Sequence, residues 1–271
     1  MQDADAAIVT SYCADGLAAS ALVQYAARPV RVFYDLDTPV TLARLAAGER
    51  PDYLPAEGLS GFDLVLSYTG GAALDRLARE LGAPRVAPLY GSVDPEAHHP
   101  AAPVAAYAAD LSFLGTYAAD RQAALERLLV EPARRRPQRH FAIGGAQYPH
   151  DFPWTDNIRF VRHMPPAEHP AFFSSARLTL NVTRCDMAAL GWCPSGWLFE
   201  AAACGAPVLI DAWEGPKAFY TPGEEILVAT DAQDALATRS GSRARALPCC
   251  RPVSCPSCCS RWRGRSSSTR W

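Results

Sequence analysis

The sequence predicts an α/β fold built on a doubly wound parallel sheet. Short apolar strand candidates alternate with helix candidates of about ten residues along most of the chain. The strands read as nearly continuous apolar runs, as strands covered on both faces do, and Gly, Pro and Asp punctuate the joins. The stretch with the most chemistry is 177–213, RLTLNVTRCDMAALGWCPSGWLFEAAACGAPVLIDAW, which reads as strand, loop, short helix and strand.

Residues 6–11 (AAIVTS) form the first predicted strand, followed by a helix over 17–27 and a second strand over 30–34. A helix over 40–47, a strand over 62–67, the loop YTGG, a helix over 72–81 and a strand over 85–89 complete the first half. Ligands of open α/β sheets lie outside the carboxyl ends of the strands. The cleft candidates of this half are therefore Asp35, Asp37, Thr38, Thr69, Gly70 and Gly71. Alternation along Asp35-Leu36-Asp37 points both carboxylates the same way, but no further hard-cation ligands accompany them, so polar structural contacts are favoured over a metal pair.

Residues 88–103 (PLYGSVDPEAHHPAAP) are rich in turn formers and read as a linker. Beyond it come a strand over 110–114, the loop GTYAADRQ, and a helix over 121–129 with Leu125, Leu128 and Leu129 at helical spacing. Strands over 140–143 and 158–161 follow, then a helix over 166–175 interrupted by Pro170. Leu178, Leu180 and Val182 alternate with polar residues as a strand would. Ser195 is the predicted N-cap of a helix over 196–204, which Gly205 and Pro207 stop before the strand PVLID. Glu200 falls early in that helix, where unpaired N–H groups and the positive dipole end favour an anion. A last strand over 226–229 and a helix start at Asp231 end the patterned region.

Charge and cysteine divide the chain unevenly. The formal net charge is −2, yet residues 1–238 carry 28 acidic and 18 basic side chains, whereas 239–271 carry eight Arg and no acid. Five of the nine cysteines (Cys249, Cys250, Cys255, Cys258 and Cys259) crowd into that tail, and the other four are scattered as in a reducing compartment. Three readings of the tail stay open. Cys255 and Cys258 form C-P-S-C, a spacing compatible with zinc, but a closed site needs four ligands and the tail has no His. The charge alone suits nucleic acid, but no fold or aromatic platform accompanies it. The favoured reading is a disordered tail produced by a frame change in a GC-rich gene, in keeping with one Lys against 25 Arg. No apolar run of about 18 residues and no signal-peptide pattern occurs, so the sequence predicts a cytoplasmic protein without a membrane span.

The G-x-G-x-x-G, P-loop and G-x-S-x-G motifs are absent, which disfavours dinucleotide oxidoreductase, P-loop and common hydrolase chemistry. What remains is a set of polar and small residues at strand ends. Gly115 and Thr116 follow one strand, where backbone N–H groups can approach a phosphate, and Arg121 can neutralise it. Gly144, Gly145 and Gln147 follow the next and suit the edge of a nucleobase. Asn181, Thr183 and Arg184 end a later strand, with Arg184 suited to a diphosphate. Glu200 can accept both hydrogen bonds of a ribose diol. His163 and His169 read as surface or packing residues, and no catalytic base is identifiable.

The motifs GSVDP, FLGTYAADRQ, NVTR and PSGWLFEAAACGAPVLIDAWEG together resemble the spore-maturation CgeB-type glycosyltransferase-like proteins, relatives of the GT-B enzymes, over roughly residues 6–237. The resemblance implies two Rossmann-like domains facing across a cleft: 1–95, the partial acceptor-side domain, and 96–237, the nucleotide-sugar domain, followed by the tail 238–271. It also implies metal-independent sugar transfer from a nucleotide-diphosphate donor to an unknown acceptor, with no cofactor and no nucleic-acid partner. Ser195, Phe199 and Glu200 then belong to the donor site, with Glu200 in the place of the acidic residue that holds the ribose. Three departures are visible. Trp197 stands where the family commonly has a basic residue, the relatives have more α/β units ahead of AAIVTS, and the tail replaces their closing helices.

Overall fold

In a computed structural model, the structure describes residues 3–237. The expectations for the tail, namely disorder, the Cys255 and Cys258 zinc reading and the nucleic-acid reading, lie outside the described residues.

Two parallel sheets carry the fold. The first has the order β1-β2-β3-β4, from β1 (Ala6–Thr10), β2 (Val30–Asp35), β3 (Leu64–Ser67) and β4 (Val86–Pro88). Between these strands run α1 (Gly16–Gln24), α2 (Thr38–Ala46) and α3 (Ala72–Leu81). Phe33, Phe62, Val65 and Leu77 form the centre of its core, each at most 1% exposed. At roughly 1.5–3 kcal/mol for each fully buried apolar side chain, such residues dominate its stability. Every connection among the described strands of this half steps the sheet in the same direction. No connection turns back past β1, and the described strand order never reverses.

The second sheet does reverse. Its order is β10-β9-β8-β5-β6-β7, from β5 (Leu111–Leu114), β6 (Phe141–Gly145), β7 (Ile158–Arg162), β8 (Thr179–Asn181), β9 (Val208–Asp211) and β10 (Leu227–Ala229). The chain moves outward from β5 to β7, returns to β8 beside β5, and moves outward the other way. Alternate residues face opposite sides of a strand. Phe113, Ile143 and Leu209 accordingly enter one core, with Leu128 and Leu180. Leu114, Ala142, Val208 and Ile210 enter the other, with Phe172, Phe173 and Leu198. Apolar burial on both faces explains why these strands read as continuous apolar runs.

Three helical segments differ from the sequence reading. The helix expected over 121–129 runs further, as α4 (Gln122–Leu125), a π-type segment Glu126–Val130 and α5 (Glu131–Arg135). Pro132 has no N–H to give the carbonyl four residues back, so the regular ladder cannot continue through it. Pro170 does not interrupt its helix. It stands at the beginning of α6 (His169–Ser175), after a 3-10 turn over Pro166–Glu168, where a missing N–H costs nothing. The segment read as a loop before Ser195 contains α7 (Cys185–Leu190), ended by Gly191 at φ 72. The helix after Ser195 is α8 (Gly196–Ala203), and α9 (Ala232–Ala237) closes the described chain. No described helix is long and apolar enough to cross a membrane.

Candidate functional site

The reversal of strand order between β5 and β8 opens a crevice at their carboxyl ends. Gly115 and Thr116 leave β5 on one side of it, and Val182, Thr183 and Arg184 leave β8 on the other. An ion pair joins the two loops: Arg184 Nε lies 3.1 Å from Asp120 Oδ2. The same carboxylate oxygen accepts the backbone N–H of Cys185 at 3.3 Å.

Thr183 is held from below. Its N–H and its hydroxyl both donate to Asp211 Oδ1, each at 3.0 Å. Asp211 ends β9 and is 6% exposed, and burial pushes its carboxyl up to about 6 against the Thr183 hydrogen bonds. Asp120, Arg127, Thr183, Cys185, Asp211 and Thr230 line a depression of about 270 Å³.

The loops after β5 and β6 are zipped together. Gly115 N–H donates to the Gly144 carbonyl at 2.9 Å, Tyr117 N–H to that of Ala146 at 2.9 Å, and the Tyr148 hydroxyl to that of Gly115 at 3.2 Å. The Gly115 N–H expected to approach a phosphate is therefore used by the neighbouring loop. Gly145, at φ 151, is required for this fit, because a Cβ there would run into the Gly115 carbonyl. Gln147 stands exposed at φ 64 beyond it. Thr116 is exposed, and its carbonyl accepts a hydrogen bond from Arg121. The Arg121 guanidinium lies 5.9 Å from the Phe113 ring centroid, and burial lowers its pKa.

The start of α8 differs in detail from the sequence reading. Ser195 has the extended backbone of an N-cap, but its side chain makes no capping hydrogen bond. Glu200 is the fifth residue of the helix, in its second turn, so it sits beyond the dipole end where the sequence reading placed it. Phe199 is 9% exposed and packs edge-on to Phe219 at 6.0 Å, which makes it part of the core under the site. Asn181 is buried at 6% exposure. Glu200 Oε2 lies 3.3 Å from His98 Nε2 and 3.9 Å from His169 Nδ1. His169 is buried, as a packing residue would be, and burial lowers its pKa, which favours the neutral ring. His163 is exposed at φ 53.

In the first half the predicted cleft residues separate into two groups. Asp35, Thr38 and Thr69 do not face an opening: they are at most 1% exposed. Asp35 Oδ1 accepts from Thr41 Oγ1 at 3.1 Å, and Thr38 and Ser67 hydroxyls meet at 2.7 Å, so these side chains stitch β2 and β3 to α2. Asp37 flanks α2 and accepts from the Tyr12 hydroxyl at 3.3 Å. Burial raises its pKa, and the Arg184 charge from the second half partly offsets this. Gly70 and Gly71 meet the second half directly. Gly70 N–H donates to the Trp192 carbonyl at 2.9 Å, and a Cβ on Gly71, at φ 57, would collide with the Trp192 ring.

Sequence reasoning missed Trp192, Tyr68 and His98. Tyr68 follows the carboxyl end of β3, so the rule that selected Thr69 could have selected it. Burial pushes its hydroxyl up to about 12, and Glu200 is among the charges acting on it. Trp192 and His98 lie in segments read as loop and linker and carried no local signal.

Residues 121–241 match the family model described as Glycosyl transferase-like. A search of curated protein sequences gives no significant match. Among solved structures, the chain is similar to sucrose-phosphate synthase from Thermosynechococcus elongatus, with TM-score 0.61 and 19% identity over 85% of this chain and 62% of that one. It is similar to the Anabaena protein Alr3699/HepE in complex with UDP-glucose, with TM-score 0.60 and 12% identity over 88% of this chain and 70% of that one. T4 phage BGT in complex with UDP-glucose gives TM-score 0.51 and 13% identity over 86% and 70% of the two chains. The chain thus spans less than two thirds of the sucrose-phosphate synthase. At these identities the likeness speaks for the fold alone, and the fold is that of the GT-B glycosyltransferases.

Proposed function

We propose that the chain transfers a sugar from a nucleotide-diphosphate donor to an acceptor hydroxyl. The observation that carries this reading is the strand-order reversal between β5 and β8, which sets Arg121 and Arg184 on the two sides of one crevice. Both arginines lie within the segment matched by the glycosyltransferase-like family model.

Residues 96–237 hold the donor and 1–95 face the acceptor. Arg121 and Arg184 offset the charge of the diphosphate, Glu200 receives the ribose hydroxyls, and Gly145 with Gln147 meets the base. The acceptor oxygen forms a bond to the anomeric carbon. The bond from that carbon to the diphosphate oxygen breaks, its electron pair leaves on the diphosphate, and the departing phosphate takes the acceptor proton. This route needs neither a side-chain base nor a metal ion. The closer kinship is with CgeB-type proteins, the sugar is a hexose, the acceptor is a saccharide, a protein or a small molecule rather than nucleic acid, and the setting is the cytoplasm. UDP-sugars are the first donors to test, because two of the similar structures hold UDP-glucose.

A second reading, donor binding without turnover, is favoured by Trp197 in a position the resembling proteins fill with a basic residue, and by Arg184 already paired with Asp120. A thermal-shift screen with UDP-, GDP- and TDP-sugars followed by a donor-turnover assay separates the two. Stabilisation with turnover is the expected result. Stabilisation alone selects the second reading, and no shift with any nucleotide sinks both.

A further inference from the structure

The linker, α6 and α8 each bring one metal-ligating side chain to the same place. His98 comes from the linker, His169 opens α6 and Glu200 lies in α8. One candidate ligand atom from each falls within 4.8 Å of the other two. We propose that His98, His169 and Glu200 bind one divalent transition-metal ion of the zinc class.

Zinc bonds of about 2.0–2.2 Å in a tetrahedral arrangement set neighbouring ligand atoms roughly 3.4 Å apart. The distances from Glu200 Oε2, 3.3 Å to His98 Nε2 and 3.9 Å to His169 Nδ1, lie close to that spacing. A second observation points the same way. Both ring nitrogens of His98 are buried, and neither has a hydrogen-bond partner among the described residues. A buried polar atom without a partner is costly, and its contact with Glu200, though close, lacks hydrogen-bond geometry. A metal ion at this point satisfies the nitrogen that faces Glu200.

The surroundings suit such a site. The His169 ring is buried. The Trp197 ring stands 5.1 Å from it and helps to exclude water. Two His and one Glu form the ligand set of zinc sites that leave a fourth position for water or another ligand, and soft-to-borderline imidazole donors favour zinc over magnesium or calcium.

The consequence for the donor rests on the function proposed above. A Glu200 carboxylate engaged by a metal is no longer free for a ribose diol. Metal and nucleotide therefore exclude one another, and the ion acts as an inhibitor rather than as part of the transfer.

The test is a zinc titration of the full chain by calorimetry, with bound metal counted after desalting. Cysteine-bound zinc is common to all variants, so the readout is the difference between the wild type and His98→Gln, His169→Gln and Glu200→Gln. Each variant is expected to lose one equivalent. The lost equivalent, examined with cobalt, should show no thiolate charge-transfer band. Equal stoichiometry in the wild type and the folded variants overturns the proposal. Should the buried His169→Gln fail to fold, His98→Gln on the linker decides alone. Zinc is also expected to weaken UDP binding at least tenfold in the wild type and to have no such effect in His98→Gln. Unchanged UDP affinity with zinc bound overturns the exclusion, whereas UDP binding absent without metal overturns the donor reading and leaves the stoichiometry to judge the metal site.

Discussion

Asp211 makes the electrostatics of the crevice measurable. Its carboxyl is pushed from 3.8 up to about 6, chiefly by burial, while the Thr183 N–H and hydroxyl pull it back and Arg127 contributes less. The folded protein thus holds this proton more tightly than the unfolded chain does. Asp211 favours folding most below about pH 4, and that contribution is lost as the pH rises through 6. The rise from 3.8 to about 6 corresponds to roughly 3 kcal/mol, most of it falling between about pH 4 and 6. Asp211→Asn removes the titration while keeping an acceptor oxygen for Thr183. Urea unfolding of both proteins at a series of pH values from 4.5 to 7 should show the variant gaining roughly 2 kcal/mol on the wild type across that range. A difference that stays constant with pH would mean that Asp211 does not titrate there, and the argument from burial would fail.

Glu200→Ala should weaken nucleotide binding in a thermal-shift titration while leaving the unfolding transition of the apo protein cooperative; unchanged affinity would reduce Glu200 to a packing residue. Phe172→Ala, at a side chain with no exposure in the second core, should cost about 3–5 kcal/mol by denaturant unfolding. Gly71→Ala combines a positive φ with a collision against Trp192, so it should destabilise by more than the roughly 1 kcal/mol of an ordinary unsuited glycine site. Trp192→Ala in the Gly71→Ala background should restore part of that loss, and purely additive losses would mean the collision is not the cause.

The sheets were legible because their strands are buried on both faces, and burial on both faces writes itself as apolar runs such as those ending at Leu114, Ile143 and Ile210. Strand order was not legible. Nothing local to β8 says that it returns beside β5, yet that return creates the crevice, and in the first half no such return occurs. The strand-end rule located Gly115, Thr183 and Arg184 because it depends only on where a strand stops. It could not separate Asp35, whose carboxylate is consumed by Thr41, from Asp37 two residues on, because the difference lies in the packing of α2. The same limit applies to Glu200. Its type and helix were readable, but the two histidines beside it arrive from positions 102 and 31 residues away in the chain.

The two halves meet where α2 packs against α7 and where the loops after β2 and β3 approach the second half. Gly70 and Gly71 leave β3 and meet Trp192, which lies between α7 and α8. Arg184 leaves β8, pairs with Asp120 across the switch point and acts electrostatically on Asp37 at the end of β2. A diphosphate drawing on Arg184 therefore competes with two carboxylates, one on each half. Release of Asp120 would loosen the joint between the loops after β5 and β8, and loss of the Arg184 charge would raise the cost of keeping Asp37 buried and ionised. Ligand affinity and the stability of the contact between the halves are then linked quantities, since any free energy spent in separating Arg184 from its carboxylates is subtracted from binding. Arg184 is already paired, its Nε held 3.1 Å from Asp120 Oδ2, so any anion must compete with that contact.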